Sequence, residues 1–389
     1  MKLVPLAGRP EDAVRVALLS HGWEGDLSRS TADALESLAF HVTEAPAAVI
    51  ECLVGAGSRL GVDVVTGDDW ALLAGTRARL AALARPWTSP ESLGELAAAL
   101  GLALPAEEPA LWQTARGPIG LDRPVIMGIL NSTPDSFSDG GRYGTVDAAL
   151  ARAERLLADG AMVLDVGGES TRPGAIPVAE AEEISRVIPV IAAILKRFPG
   201  AMVSVDTVKA QVALAGLEAG AAIVNDVSGL RLDPELAAVC ARHAAGVVLM
   251  HSRGGVGDMA SENHADYPAG VLTAVATELA QSIARARAGG IEAERIVVDP
   301  GLGFGKTLEH NVELLRGLSA LRVLGRPILI GPSRKRFLGV LTGRALEERE
   351  VATAAACALA WMGGARLFRV HDPGSTRDAL AVSQAMRPR

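Results

Sequence analysis

Aromatic residues are scarce in this chain. Phe, Trp and Tyr make up 3% of its 389 residues, although 49% are hydrophobic. The core must therefore be built from Ala, Val, Leu and Ile, which suits Ala-rich helices covering Val- and Ile-rich strands. Cysteine is almost missing too. Cys52, Cys240 and Cys357 stand far apart, outside any metal-ligand spacing, and so sparse and odd a set suits a reducing cytosol. Cys240 and Cys357 fall in Ala-rich helical patterns and read as small core residues. The chain has no charge-free apolar run long enough to cross a bilayer and no basic-then-apolar leader pattern at its start. The expectation is a cytoplasmic protein with no membrane partner. Basic residues are in deficit, 38 Lys and Arg against 45 Asp and Glu, for a net charge of −7. That argues against nucleic acid as a partner while leaving room for a local basic pocket.

The length suits one large domain and a smaller one. Residues 1–115 read as an accessory N-terminal domain, small α/β or mainly helical. Helical patterns cover Glu11–Ser20, Ser30–Leu38, Ala48–Ala56 and Trp70–Leu83, with a short strand at Val62–Val65. Ser89 and Pro90 resemble the N-cap and first position of another helix, and a linker rich in Pro and Glu runs over Leu104–Pro109. No catalytic constellation occurs in this part.

From about Pro124 onward apolar strands alternate with amphipathic helices. The strands are Val125–Leu130, Met162–Val166, Met202–Val205, Ile223–Val227, Gly246–Met250, Ile296–Val298, Pro327–Ile330 and Leu367–Val370. The helices are Val146–Ala158, Ala179–Phe198, Lys209–Ala219, Pro234–His243, Ala269–Ala288, Leu308–Leu318, Leu346–Met362 and Ser375–Met386. This βα alternation predicts a (β/α)8 TIM barrel over 116–389. An open doubly wound sheet would need fewer strands or a clear switch point.

A barrel places function at the C-terminal ends of its strands. The first strand runs through Asn131 into a polar loop, Ser132 to Gly141. The second carries Asp165 and leads to Gly167-Gly168-Glu169-Ser170-Thr171-Arg172-Pro173-Gly174. The others end in Asp206-Thr207, Asn225-Asp226, Met250-His251, Asp299 with Pro300-Gly301-Leu302-Gly303-Phe304-Gly305-Lys306, Ser333-Arg334-Lys335, and Arg369-Val370-His371-Asp372. Arg172, Lys335, Arg369 and His371 gather positive charge on an acidic protein, which points to an anionic substrate. Asp206, Asn225 and Asp299 suit the hydrogen-bonding edge of a flat polar heterocycle. Asn131 and neighbouring oxygens suit a hard ion such as Mg²⁺ on a phosphate.

Two nucleotide motifs fail. Gly305-Lys306-Thr307 lacks the glycine that a Walker A loop needs at position 300, and Lys306 occupies the last glycine position of a dinucleotide fingerprint. Asp165 reads equally as a structural interior residue or a ligand contact, and His251 as a satisfied loop histidine or a site residue. Glu169 reads as a partner of its Gly-rich turn, Arg334 as an ion-pair residue, and Arg285, Arg287 and Arg295 as a solvated face.

Together these segments resemble dihydropteroate synthase, the folate-pathway enzyme. The resemblance covers about residues 123–389 and leaves out the N-terminal part. It implies a transferase that condenses (7,8-dihydropterin-6-yl)methyl diphosphate with 4-aminobenzoate, through a pterin-methyl cation, to give 7,8-dihydropteroate and pyrophosphate. It implies a pterin pocket of Asp206, Asn225, Asp299 and Lys335, walled by Met250 and Phe304. Asn131, Thr171, Arg172, Arg369 and His371 are then the diphosphate ligands, with Asn131 also holding Mg²⁺. Phe137, Thr171, Pro173, Ser333 and Lys335 surround the aminobenzoate. Asp206, Lys335, Arg172 and Asn131 become the catalytic set, and a homodimer through late barrel helices is expected. Pro332 and Pro373 depart from the usual pattern without removing a functional group. A related pterin-binding methyltransferase barrel would have no need of the Ser-Thr-Arg-Pro loop or the Arg369/His371 pair. A catalytically silent paralogue would be expected to have lost Asn131, Arg172, Lys335 or His371, and all four are present.

Overall fold

A computed structural model describes residues 2–5, 37–83, 109–132, 142–170, 177–268 and 270–386. The chain divides into two compact units, Met1–Ala106 and Glu107–Arg389. The expected boundary at 115/116 falls inside the hairpin that begins the second unit.

The first unit has an antiparallel sheet of β1 (Lys2–Pro5), β2 (Ser37–Thr43), β3 (Asp63–Thr66) and β4 (Ala71–Thr76), in the order β1-β2-β4-β3. Helices α1 (Ala47–Leu60) and α2 (Arg77–Leu83) accompany it, and Phe40, Val42, Leu53, Ala56, Leu73 and Leu80 share its core. The helix expected over Trp70–Leu83 is therefore half strand. β4 pairs with β2 on one side and β3 on the other, and its residues Ala71 to Gly75 are all buried. A strand covered on both faces is a continuous apolar run, which periodicity cannot separate from a buried helix. The end of the Ser30–Leu38 pattern likewise lies in β2. Glu11–Ser20, Ser89 and Pro90 lie outside the described residues.

The second unit opens with a hairpin, β5 (Leu111–Thr114) and β6 (Gly117–Gly120). The barrel strands follow: β7 (Val125–Asn131), β8 (Val163–Gly167), β9 (Met202–Asp206), β10 (Ile223–Asp226), β11 (Gly246–Met250), β12 (Ile296–Asp299), β13 (Ile328–Ile330) and β14 (Ala365–Val370). All neighbours are parallel, and β14 closes on β7. The helices are α3 (Arg142–Ala158), α4 (Glu180–Arg197), α5 (Ala210–Glu218), α6 (Leu236–Arg242), α7 (Val271–Ala288), α8 (Leu308–Arg316), α9 (Arg336–Thr342), α10 (Glu350–Met362) and α11 (Pro373–Met386). This is the expected TIM barrel, with one addition: β13 is followed by the short α9 before α10.

Strand alternation sorts the side chains. Leu130, Val166, Val203, Val224, Val298, Ile330 and Phe368 face outward and pack under the helices. Val125, Met127, Val163, Ile223, Val248, Val297, Leu329 and Leu367 face inward as an apolar floor. Two residues further along the same inward faces the chain turns polar: Asp165 follows Val163, Asn225 follows Ile223, Asp299 follows Val297, and Arg369 follows Leu367. Below the floor the hairpin contributes Trp112 and Ile119 to the same apolar cluster. Trp112 is fully buried, and its Nε1–H donates to the Arg295 carbonyl at 2.8 Å. The hairpin thus plugs one end of the barrel and leaves the polar end as the mouth.

Trp112→Ala should lower the unfolding free energy by about 3–5 kcal/mol, measured by denaturant unfolding. A loss under about 1 kcal/mol would show that the hairpin is not part of the packed core.

Candidate active site

The centre of the mouth is an arginine between two carboxylates. Arg369 Nε donates to Asp165 Oδ2 at 2.6 Å, and Arg369 Nη2 donates to Asp206 Oδ2 at 2.6 Å. Asn225 Nδ2 donates to the same Asp165 oxygen at 3.0 Å. The strand register brings them together: Asp206 is level with Gly167 on β8 and Asn225 on β10. Burial pushes the Asp206 carboxyl up to about 7; Arg369 pulls it down, while Asp165, Glu183 and Asp226 push it further up. Burial disfavours the Arg369 cation, but Asp165 and Asp206 outweigh that and raise its pKa overall.

Beside this group lies a wall and a second polar edge. Met250 and Phe304 are buried in one apolar cluster with Val208, Val227 and Met259. Lys335 Nζ sits 3.9 Å from the centroid of the Phe304 ring, a cation–π contact. Burial, then Arg369, lowers the Lys335 ammonium to about 8, with Asp299 and Asp206 acting the other way. Asp299 accepts the Gly301 N–H at 2.7 Å, and burial pushes it up to about 6 against that bond and the nearby Lys335. Gly301 has φ +68°, and a Cβ there would meet the His251 carbonyl oxygen at 1.9 Å. A Cβ on Gly303 would stand 3.0 Å from the Lys335 chain. Gly301 therefore makes room for the His251 carbonyl, and Gly303 for the Lys335 stem.

Lys335 is aimed by its predecessor. Arg334 is a non-glycine residue in the left-handed region, φ +57°. Its N–H donates to Thr353 Oγ1 at 3.2 Å, its carbonyl accepts from Arg349 at 3.1 Å, and its side chain pairs with Glu350. It is the ion-pair residue that the sequence suggested.

At the adjoining strand end the Ser333 hydroxyl accepts the His371 backbone N–H at 3.1 Å and lies 2.9 Å from His371 Nδ1. The hydroxyl oxygen keeps a second acceptor site besides its own O–H, so this contact is compatible with either neutral tautomer of the imidazole. Burial, followed by Arg334, Arg369, Arg152 and Lys335, pushes His371 down to about 3. His371 is thus neutral, and the expectation that it adds positive charge to the mouth is corrected. Asn131 ends β7 half-buried, level with Gly167. Phe137, Thr171, Arg172 and Pro173 lie outside the described residues.

Other polar residues serve the scaffold. Lys306 is buried and donates to His251 Nδ1 at 3.0 Å and to the carbonyls of Gly301 and Phe304 at 3.0 and 2.9 Å. His251 in turn meets Glu278 at 3.1 Å, so it is a satisfied loop histidine. Arg295 is no solvated residue: it brackets the Ala244 and Thr114 carbonyls as well as accepting Trp112. Sequence reading missed Lys209, whose Nζ donates to Glu169 at 3.0 Å, Glu183 at 2.6 Å and the Val178 carbonyl at 2.7 Å. Glu169 also accepts the Val178 N–H at 2.6 Å. The described residues on both sides of 171–176 are thereby tied to one lysine. The available signal was a lysine just past the Asp206-Thr207 strand end, overshadowed by its place at a helix start.

The mouth thus offers acceptors and an apolar wall to a flat N–H-rich ring, with an arginine donor beside it for an anion. The family model described as "Pterin binding enzyme" matches residues 127–371. A dihydropteroate synthase of Synechocystis sp. is 43% identical over 265 residues, covering 68% of this chain and 90% of that protein. The Xanthomonas albilineans dihydropteroate synthase solved with 4-aminobenzoic acid is 45% identical, with TM-score 0.66, covering 71% of this chain and 98% of that one. The same enzyme in complex with 7,8-dihydropteroate has TM-score 0.62 at 44% identity, covering 69% and 95%.

In an NMR titration of the ligand-free protein, the His371 ring should stay neutral down to about pH 4, since its pKa is lowered to about 3. A midpoint near the ordinary histidine value of about 6.5 would refute the neutral assignment.

Proposed function

The chain belongs to the pterin-binding enzymes, and within them to the dihydropteroate synthases, and from that premise we propose which of its residues carry the reaction. The enzyme is a transferase of folate synthesis that joins (7,8-dihydropterin-6-yl)methyl diphosphate to 4-aminobenzoate, giving 7,8-dihydropteroate and pyrophosphate through a pterin-methyl cation. The observation that carries the residue assignment is the contiguous set Asp206, Asn225, Asp299 and Lys335 around the Met250 and Phe304 wall, with Arg369 at its edge.

The pterin ring lies against Met250 and Phe304. Asp299, Asn225 and Lys335 address its polar edge. The C–O bond to the diphosphate breaks with both electrons leaving on oxygen. Arg369, Arg172, Thr171 and His371 meet the charge that develops there. Asp206 lies where a carboxylate stabilises the methyl cation, and it does so only when ionised. The 4-aminobenzoate, bound among Phe137, Thr171, Pro173, Ser333 and Lys335, then attacks through its nitrogen lone pair. The resulting anilinium is acidic enough to lose its proton without a dedicated base.

A magnesium ion arriving with the diphosphate would take its protein ligand from this mouth. Among the described residues no group of His, Cys, Asp and Glu side chains could hold a metal ion. Asn131 offers one hard amide oxygen at the end of β7. Asn131 would hold the ion, with diphosphate oxygens completing the shell. When bound, the ion supplies neutralisation of the leaving group.

We also place the enzyme in the cytoplasm, where the buried free thiols of Cys240 and Cys357 stay reduced. Among the described residues no helix is long and apolar enough to cross a membrane. A homodimer through α10 and α11 is supported by exposed apolar side chains at helical spacing: Val351, Leu359 and Met362 on one, Val382 and Met386 on the other.

Purified protein supplied with Mg²⁺, the pterin diphosphate and 4-aminobenzoate should release pyrophosphate and form dihydropteroate, and EDTA should suppress both. No release above background overturns the assignment. Light scattering should report a dimer for the native chain and a monomer for the Val351→Arg, Leu359→Arg double variant. A variant of unchanged mass would remove α10 from the interface.

A further inference from the structure

One fully buried carboxylate of the barrel mouth is not among the assigned ligands. Asp165 has a fully buried side chain, and its Oδ2 accepts from both Arg369 Nε at 2.6 Å and Asn225 Nδ2 at 3.0 Å. Its Oδ1 is buried with no hydrogen-bond partner. One oxygen therefore fixes two groups. It holds the guanidinium by Nε, leaving the Nη edge to turn toward the mouth. It also takes the amide N–H of Asn225, so that the Asn225 carbonyl oxygen faces the ring subsite.

We propose that Asp165 is a positioning residue that couples the ring subsite to the diphosphate subsite through Arg369 and Asn225. This rests on the pterin-diphosphate reading of the site. In the free protein Arg369 Nη2 is held by Asp206. A pterin head that engages Asp206 competes for that carboxylate and releases Nη2. Asp165 keeps the guanidinium in place meanwhile, so that the freed donor meets the diphosphate and does not follow Asp206. A ring already bound to Asn225 also steadies the amide that shares Asp165 Oδ2. Each half of the substrate thus removes an ordering requirement for the other, which is positive coupling. Without Asp165, Arg369 has only Asp206 to hold it, and the two halves bind independently.

The test uses two separate probes, inorganic pyrophosphate and unphosphorylated 6-hydroxymethylpterin, titrated calorimetrically into the full chain alone and together. In the native chain, saturating pterin should tighten pyrophosphate binding by at least about fivefold. In Asp165→Ala the factor should fall to near one. Asp165→Asn keeps the volume and an oxygen for both bonds, but neutral hydrogen bonds are roughly half as strong as charge-assisted ones. Its factor should lie between, and it decides the matter if the alanine variant does not fold. A residue with only a structural role would lower the melting temperature, or both affinities, while leaving the factor unchanged. An unchanged factor in the folded variants, or no coupling in a native chain that binds both probes, overturns this inference and leaves the function standing. A native chain that binds neither probe overturns both.

Discussion

The barrel mouth is organised around one buried cation with two anionic neighbours. Arg369 cannot lose its proton under ordinary conditions, so its charge must be met where it lies. Asp165 meets it from within the barrel and Asp206 from the rim. Burial, with Asp165, Glu183 and Asp226 adding to it, raises the Asp206 carboxyl to about 7 despite its contact with the arginine. A site that must accept a highly charged leaving group begins with its charges largely paired within the protein. Binding then exchanges partners without creating charge in a low-dielectric cavity.

The floor makes this exchange possible. Inward faces that start with valine, isoleucine and leucine and finish with aspartate, asparagine and arginine give the barrel a closed end and a polar end. The same period-2 rule that packs the floor points the functional side chains at one another. Their distances follow from strand register: Asp206, Gly167 and Asn131 share one level, and Asp165 is paired with Ser204 one step below. The loops add only what strands cannot supply, such as the left-handed Arg334 that turns Lys335 over Phe304.

Sequence patterning was most informative where those rules are strict. The alternation of strands and helices, and the polar residue at each strand end, depend on backbone period alone, and both appear in the structure. It failed at β4, where burial on both faces erases the period, and at the hairpin, where Trp112 carried no signal that it plugs the barrel. Within the site, residue type was legible and protonation state was not. His371 reads as a cation until its neighbours are known: burial, three arginines and a lysine make it neutral. Lys306 reads as a motif residue until it is seen to spend its donors on two carbonyls and a histidine. Both outcomes depend on residues distant in sequence, which no local pattern encodes.

Lys209 shows the same division from the other side. A helix start with a lysine carries no chemical signal, and Glu169 and Glu183 lie 40 and 26 residues away from it. Once folded, all three converge with Val178 in a buried ionic knot, where Glu183 is driven toward its neutral form by burial and held against that by Lys209. Removing one partner of such a knot leaves an uncompensated charge in the interior, so its members are mutually dependent. The Arg369 and Lys209 clusters are therefore built on different logic. The Arg369 cluster must be able to exchange a partner for substrate. The Lys209 cluster has its ammonium fully engaged by protein oxygens, which suits an anchor and leaves it nothing to offer a ligand.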